Sequence, residues 1–110
     1  MVLVLALALA LAACGGSSTA TAGPDCAELC QKGKDKRCPG AEAIQCEDNC
    51  LSEDARAGTS GCRATYDASL ECTAALEDIC TVARACGDEV KAYLECIDDY
   101  CEDHSAEFCP

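Results

Sequence analysis

The chain has 110 residues, of which 13 are cysteine, and its 20 acidic and 8 basic side chains give a formal net charge of −12. A domain of this size that is only 4% aromatic buries too little apolar surface to be stable alone, and cysteine at this density is typical of a disulfide scaffold from an oxidising compartment. The acidic balance excludes nucleic-acid binding, because no basic surface is available to neutralise phosphates.

The N-terminus predicts a secretion signal over residues 1–13. Residues 2–13 are an uninterrupted apolar run, too short to cross a bilayer core of about 30 Å as a helix and typical of a signal-peptide hydrophobic region. The run ends in Leu11-Ala12-Ala13-Cys14, which resembles the lipobox of bacterial lipoproteins. That resemblance implies cleavage before Cys14 and acyl chains on its thiol. Ala10-Leu11-Ala12 also offers an ordinary signal-peptidase site, which would release a soluble protein.

Residues 14–24 predict a flexible lipidated tether, because glycine, serine, threonine and alanine dominate the segment. Glycine follows Cys14, and for a lipoprotein of a two-membrane bacterium this implies the outer membrane rather than retention at the inner one. With Cys14 set aside as the lipid site, twelve cysteines remain for six disulfides in a helical domain over 25–110.

The first part of this domain predicts a helical hairpin over about 25–53. Cys26 and Cys30 are four residues apart, as are Cys46 and Cys50, so each pair lies on one helix face. A Pro-Gly breaker lies halfway between the two pairs. Facing residues of an antiparallel hairpin have position numbers with a constant sum, and that sum is 76 both for Cys26 with Cys50 and for Cys30 with Cys46. The spacing therefore predicts these two disulfides.

A second hairpin is predicted over about 62–104. Cys62 and Cys72 have the same separation as Cys86 and Cys96, and the segments around the second cysteine of each pair share a Leu-Glu-Cys sequence. The position numbers of Cys62 with Cys96 and of Cys72 with Cys86 both add to 158. The spacing therefore predicts the disulfides Cys62–Cys96 and Cys72–Cys86, in the same mirrored arrangement as in the first hairpin.

Side-chain spacing in the second hairpin predicts two helices. Positions four and three residues apart predict one helix from Cys62 to Cys80. A matching stripe predicts the facing helix, with Gly87-Asp88 ending the first helix and capping the next. The stripe consists of Val90, Leu94, Ile97 and Cys101.

The spacing does not decide the disulfide partners of the remaining four cysteines. Cys38 and Cys80 lie near the two mirror centres, so a bridge between the hairpin tips would leave Cys101 to pair with Cys109. An alternative stays open, because eight cysteines allow many arrangements. It joins Cys80 to Cys86, Cys72 to Cys96, and Cys62 to Cys101 or Cys109.

The two spacings resemble the twin Cys-x3-Cys and twin Cys-x9-Cys helical hairpins of mitochondrial intermembrane-space proteins. The resemblance covers residues 26–50 and 62–96 and rests on cysteine spacing alone. We interpret this similarity as convergent, because a bacterial lipoprotein leader argues against common ancestry with the mitochondrial proteins. It implies the fold alone, two antiparallel helical hairpins held by multiple disulfides, and does not imply a chaperone or import activity. With the flexible N-terminal tether, we therefore expect an all-α fold of two stapled hairpins.

The sequence predicts no catalytic or metal site and no cofactor. Cys-x-x-Cys, the spacing of thiol oxidoreductases, does not occur, and the single histidine, His104, lies in a polar stretch typical of a surface. The Cys-x3-Cys pairs fit zinc spacing loosely, but oxidised thiols do not ligate zinc. The acidic segment 98–103 lacks the glycine and ligand spacing of a calcium loop.

The charge pattern and the leader together indicate a function class. Residues 88–107 contain eight carboxylates and one lysine, which predicts a solubilising face or a docking surface for a basic partner. We expect a non-enzymatic, lipid-anchored envelope protein with a structural or interaction role, whose partners are the membrane and another envelope protein rather than a small molecule. The alternatives are an envelope thiol–disulfide redox enzyme or chaperone, and a small secreted inhibitor or binding domain.

Overall fold

A computed structural model describes residues 24–110, so the predicted signal peptide, Cys14 and the tether up to residue 23 lie outside the described residues. Within this range the chain contains helices and no strand, which confirms the predicted all-α fold. In the same range, no helix has the length and apolar character needed to span a membrane. The helices are α1 (Cys26–Asp35), α2 (Cys46–Ser60), α3 (Arg63–Ala74), α4 (Val82–Ala85) and α5 (Gly87–Asp103), with 3-10 turns at Ala41–Ala43 and Ile79–Thr81.

The first hairpin consists of α1 and α2. Asp25 caps α1, since its side chain accepts a hydrogen bond of 3.3 Å from the backbone N–H of Ala27. α2 continues to Ser60, past the hairpin end expected near residue 53. It continues because Ala57 is fully buried in the domain core, and the helix ends only where Gly61 adopts a positive φ of 79°.

The C-terminal ends of α1 and α2 have the same backbone geometry. After α1, the N–H of Cys38 donates to the carbonyl of Gly33 at 3.0 Å, and Arg37, the residue before Cys38, has a φ of 59°. After α2, the N–H of Cys62 donates to the carbonyl of Ala57 at 3.1 Å across Gly61. Both are Schellman ends, which favour glycine at the left-handed position, so Arg37 occupies a place where a side chain costs free energy.

The second hairpin pairs α3 with α5. The expected continuous helix from Cys62 to Cys80 is wrong, because α3 ends at Ala74 and the chain turns before the 3-10 segment that contains Cys80. Asp78 caps that segment, since its Oδ1 accepts from the N–H of Cys80 at 3.0 Å. The break lets the chain reverse, so that Cys72 on α3 meets Cys86 just before α5.

The disulfides form a nested pattern in each hairpin. Their pairs coincide with the mirrored arrangement, and among the described residues the alternative with Cys80 joined to Cys86 does not occur. One bridge joins the tip of the first hairpin to the tip of the second. The six pairs are Cys26–Cys50, Cys30–Cys46, Cys38–Cys80, Cys62–Cys96, Cys72–Cys86 and Cys101–Cys109.

The hydrophobic core lies where the end of α2 meets α3 and α5. Tyr66 and Tyr93 pack with their ring centroids 5.2 Å apart, and Ile97 is buried beside them. The predicted apolar stripe of α5 is therefore wrong at Val90 and Leu94, which are exposed. Tyr93 rather than Leu94 faces inward because its ring packs on Tyr66 and its hydroxyl is bound by α2.

Candidate binding grooves

Two grooves flank α1, and the larger has a volume of about 650 Å³. It lies at the N-terminal end of the described domain, between the start of α1, the exposed side of α2 and the start of α3. We call it the acidic groove. Its lining residues are Pro24, Asp25, Cys26, Ala27, Glu47, Cys50, Leu51, Asp54, Arg63, Tyr66, Asp67 and Leu70.

The charges around the acidic groove are four carboxylates and one guanidinium. Arg63 donates to Asp54 through Nη1 at 2.6 Å, and this hydrogen bond is the main reason that the pKa of Arg63 is raised. Glu47 and Asp67 have no ion-pair partner among residues 24–110. The groove therefore presents uncompensated negative charge, which favours a cationic ligand.

An apolar surface lies between these carboxylates. The side chain of Leu51 is 69% exposed, and the ring of Tyr66 lies below the Arg63 guanidinium, 5.7 Å from it. Tyr66 itself is only 6% exposed, and its hydroxyl has no hydrogen-bond partner in the described part of the chain. Burial is the main cause that raises the pKa of Tyr66 to about 12, so the phenol is neutral at physiological pH.

A polar cluster fixes α2, one wall of the acidic groove, against α5. The hydroxyl of Tyr93 donates to Glu53 Oε1 at 3.0 Å and accepts from Arg56 Nε at 3.3 Å. Arg56 Nη2 also donates to both oxygens of Glu53, at 2.7 and 2.6 Å. Burial, the largest contribution, raises the pKa of Tyr93. Because each polar group in this cluster has a partner, it stabilises one orientation of α2.

The second groove has a volume of about 460 Å³ and lies between α1 and the segment from α3 to α4. Its lining contains no charged side chain, and Asn49 and Thr73 are its polar contributions. The Cys38–Cys80 bridge forms one end of it. We call it the apolar groove, lined by Cys26, Leu29, Cys30, Gly33, Cys38, Pro39, Ala41, Ile44, Asn49, Leu70, Thr73, Ile79, Cys80, Val82 and Ala83.

The structure also brings together three groups of a kind that bind metals. The ligand atoms of Cys72, Cys86 and Glu89 lie within 4.8 Å of one another. Both sulfurs belong to one disulfide, however, so they offer no thiolate to a metal ion. The arrangement does not amount to a metal site in the oxidised protein.

The C-terminal segment holds the one histidine. The ring of His104 stacks on Tyr100 with centroids 4.1 Å apart, and its Nδ1 lies 2.9 Å from the backbone carbonyl of Tyr100. The eight carboxylates of residues 88–107 are not gathered into a cavity with it; Glu95 pairs with Lys91 at 2.8 Å on the outer face of α5. The candidate binding surface is therefore not the acidic segment 88–107, which the charge pattern of the sequence had indicated.

Sequence reasoning missed the acidic groove because its carboxylates are dispersed along the chain. Asp25, Glu47, Asp54 and Asp67 belong to three different helices or their caps, and no spacing rule connects them. The two α1–α2 disulfides bring the start of α1 to α2, and the Arg63–Asp54 ion pair joins the start of α3 to α2. The predicted first-hairpin pairing is the one signal from which this proximity could have been inferred.

No protein-family model, curated protein or solved structure matches the chain. Its function is therefore inferred from its sequence and from the geometry of the grooves.

Proposed function

We propose that the protein is a lipid-anchored module of the bacterial cell envelope that binds a basic protein segment in the acidic groove. The observation that carries this proposal is the grouping of four carboxylates around exposed Leu51, with Arg63 as the one cation in the lining. A lysine or arginine side chain matches such a surface, because its alkyl stem packs on apolar atoms while its charged end reaches a carboxylate. Glu47 and Asp67 are the carboxylates available for this contact.

The position of the groove fits an anchored domain. Pro24, the last residue of the expected tether, and Asp25 belong to its lining, so the groove opens at the tethered end. Nine residues separate Cys14 from Pro24, and a flexible linker of that length has a typical end-to-end distance of about 17 Å. An acylated Cys14 would hold the groove close to the membrane surface, where envelope proteins present their own segments.

Binding is tested with the Cys14→Ser chain and a probe peptide that alternates lysine and leucine. We expect affinity to fall as salt is raised, because the contact is partly electrostatic. The double variant Glu47→Gln/Asp67→Asn should weaken binding by about fivefold, since an exposed ion pair contributes up to about 1 kcal/mol. Glu71→Gln/Asp99→Asn removes the same charge outside the groove and is the matched control. Equal loss in the two variants, or no binding by the parent chain, would contradict the proposal.

The anchor is tested separately, by the mass of the mature protein and by fractionation of the envelope. Acylation of Cys14 should add the mass of its lipid, and Cys14→Ser should move the protein from the membrane to the soluble fraction. An unmodified Cys14 would overturn the lipid anchor but leave the groove test unaffected, and would favour a secreted binding domain instead.

A further inference from the structure

We propose that the Cys38–Cys80 disulfide is a reaction site for an external dithiol, which reduces this bridge while the other five stay closed. The inference is independent of the lipid anchor and of the acidic groove. It rests on exposure, on the place of this bridge in the fold, and on the charges beside it.

Exposure separates this bridge from the others. Of the twelve cysteines that the structure describes, Cys80 is the exposed one, and the rest are half-buried or buried. Cys62 and Cys86, for example, are 2% and 0% exposed. Thiol–disulfide exchange needs direct contact between the attacking sulfur and a disulfide sulfur, so Cys80 is the accessible point of attack.

The position of the bridge allows it to open without unfolding either hairpin. Among the six disulfides, Cys38–Cys80 is the one that joins the first hairpin to the second. Cys38 lies in the turn between α1 and α2, and Cys80 lies in the 3-10 turn Ile79–Thr81. Each hairpin keeps its own two bridges when this one is reduced, so its helices remain cross-linked.

Space for an attacking segment is present next to the bridge. Both Cys38 and Cys80 line the apolar groove, together with Pro39 and Ile79. On the α1 side the bridge lies close to the buried backbone of Gly33, where an added Cβ would lie 3.9 Å from Cys38 Sγ. An attacking thiol therefore reaches the bridge from the apolar groove and from exposed Cys80, not through α1.

The charges around Cys38 favour it as the leaving thiolate. Lys36 and Arg37 immediately precede it, both are exposed, and positive charge nearby stabilises a thiolate. On the other side, the Asp78 carboxylate accepts a hydrogen bond from the N–H of Cys80, so negative charge lies next to the backbone of that residue. This difference favours attack at Cys80 with departure of Cys38, since the leaving group is then the better stabilised anion.

The exchange balances with the dithiol as the reductant. Its first thiolate forms a bond to Cys80 Sγ while the Cys38–Cys80 bond breaks, and Cys38 leaves as a thiolate that takes a proton from water. The second thiolate of the dithiol then attacks the dithiol's own sulfur in the mixed disulfide and releases Cys80. The dithiol becomes a disulfide, and two electrons reach Cys38 and Cys80.

The test uses the whole chain with dithiothreitol as the dithiol, quenched at intervals by an alkylating reagent and mapped by mass spectrometry. We expect Cys38 and Cys80 to be labelled at least tenfold faster than any other pair, with the far-ultraviolet circular dichroism unchanged. Earlier labelling of another pair, or simultaneous labelling of all twelve with loss of helicity, would overturn the proposal.

Three variants test which charges and which bridge control the labelling rate. Lys36→Gln should slow the labelling about two- to threefold by removing positive charge beside the leaving thiolate, whereas Lys91→Gln on α5 should not change it. Replacing Cys101 and Cys109 by alanine should leave the fast phase intact. A fast phase that disappears with Cys101 and Cys109 would assign the reactive bridge to the C-terminal loop instead.

Discussion

The two hairpins share one disulfide layout but differ in what they bury. In the first, α1 buries a glycine, Gly33, and α2 buries Cys50 and Ala57. In the second, α3 and α5 bury Tyr66, Tyr93 and further residues of the core. The comparison shows that two bridges can position a helix whose own side chains contribute little apolar burial, whereas the second hairpin combines its bridges with a packed core.

The largest effect is expected when both disulfides within one hairpin are removed, one hairpin at a time. Replacing the first-hairpin cysteines by alanine should cost about 4 to 8 kcal/mol, because each disulfide contributes about 2 to 4 kcal/mol. We expect the amides of α1 to lose their protection from hydrogen exchange while those of α3 and α5 keep it. The four residues replaced are Cys26, Cys30, Cys46 and Cys50.

The matched experiment removes the two bridges of the second hairpin. Their loss should lower stability, but α3 and α5 should retain measurable protection because the Tyr66–Tyr93–Ile97 core remains. Persistent protection of α1 in the first experiment, or complete loss of protection of α3 and α5 in the second, would contradict the comparison. The residues replaced are Cys62, Cys72, Cys86 and Cys96.

Alkaline pH should weaken the core of the second hairpin specifically. The pKa of Tyr66 is raised to about 12 in the folded chain, while an unfolded tyrosine ionises near pH 10. The contribution of Tyr66 is therefore fully present below pH 10 and is lost as pH rises through 12, because between those values only the unfolded state releases the proton. The free energy of unfolding should fall by at most about 1.4 kcal/mol per pH unit from this residue.

Urea unfolding at several alkaline pH values measures this slope. Tyr66→Phe should make it shallower, since the variant has no phenol at that position. A slope unchanged in Tyr66→Phe would show that other groups control the alkaline behaviour.

The two core tyrosines should respond differently to loss of their hydroxyl groups. Tyr93→Phe should cost about 1 to 2 kcal/mol, because the hydroxyl donates to the charged Glu53 and accepts from Arg56. Tyr66→Phe at neutral pH should be neutral or slightly stabilising, because that hydroxyl is buried without a hydrogen-bond partner among the described residues. Thermal unfolding of the two variants measures the difference, and equal destabilisation would contradict it.

The smallest effect concerns the Schellman ends of α1 and α2. Gly61→Ala should cost about 1 kcal/mol from backbone strain alone, since φ is 79° there and an added Cβ would meet nothing within 4 Å. Arg37→Gly should gain about 0.5 kcal/mol by relieving the same strain at a φ of 59°. Arg37→Ala, which removes the charge but keeps the strain, is the control for chemical denaturation and should show no gain.

Most of the fold could be predicted from the cysteine spacing. A regular helix and an antiparallel return convert position numbers into distances, so the mirrored sums anticipate the four bridges within the hairpins. The position of Cys38 and Cys80 near the two mirror centres favoured their pairing but left an alternative open. The spacing did not anticipate where α3 ends or that Tyr93 faces inward in place of Leu94. Those features depend on contacts between α2 and α5, which periodicity within one helix does not describe.

The binding surface was less predictable than the fold. The carboxylates of residues 88–107 are dense in the sequence and suggested a docking surface there. In the structure they are dispersed over the outer side of α5 and the chain end. The acidic groove needs carboxylates from α1, α2 and α3 at one place, and only the folded arrangement supplies this. Local charge density in a sequence is therefore a weaker guide to a binding surface than the cross-links that bring distant segments together.

The nested bridges also determine what a protease can release from this domain. Any single backbone cut from Cys26 to Cys96 falls inside at least one disulfide loop, so the two pieces stay covalently joined. The Cys101–Cys109 bridge has the same effect on the last segment. Between Cys26 and Cys109, only the short stretch from Cys96 to Cys101 lies outside every loop, and it is helical and contains buried Ile97. A domain cut once inside any of these loops thus remains one covalent molecule.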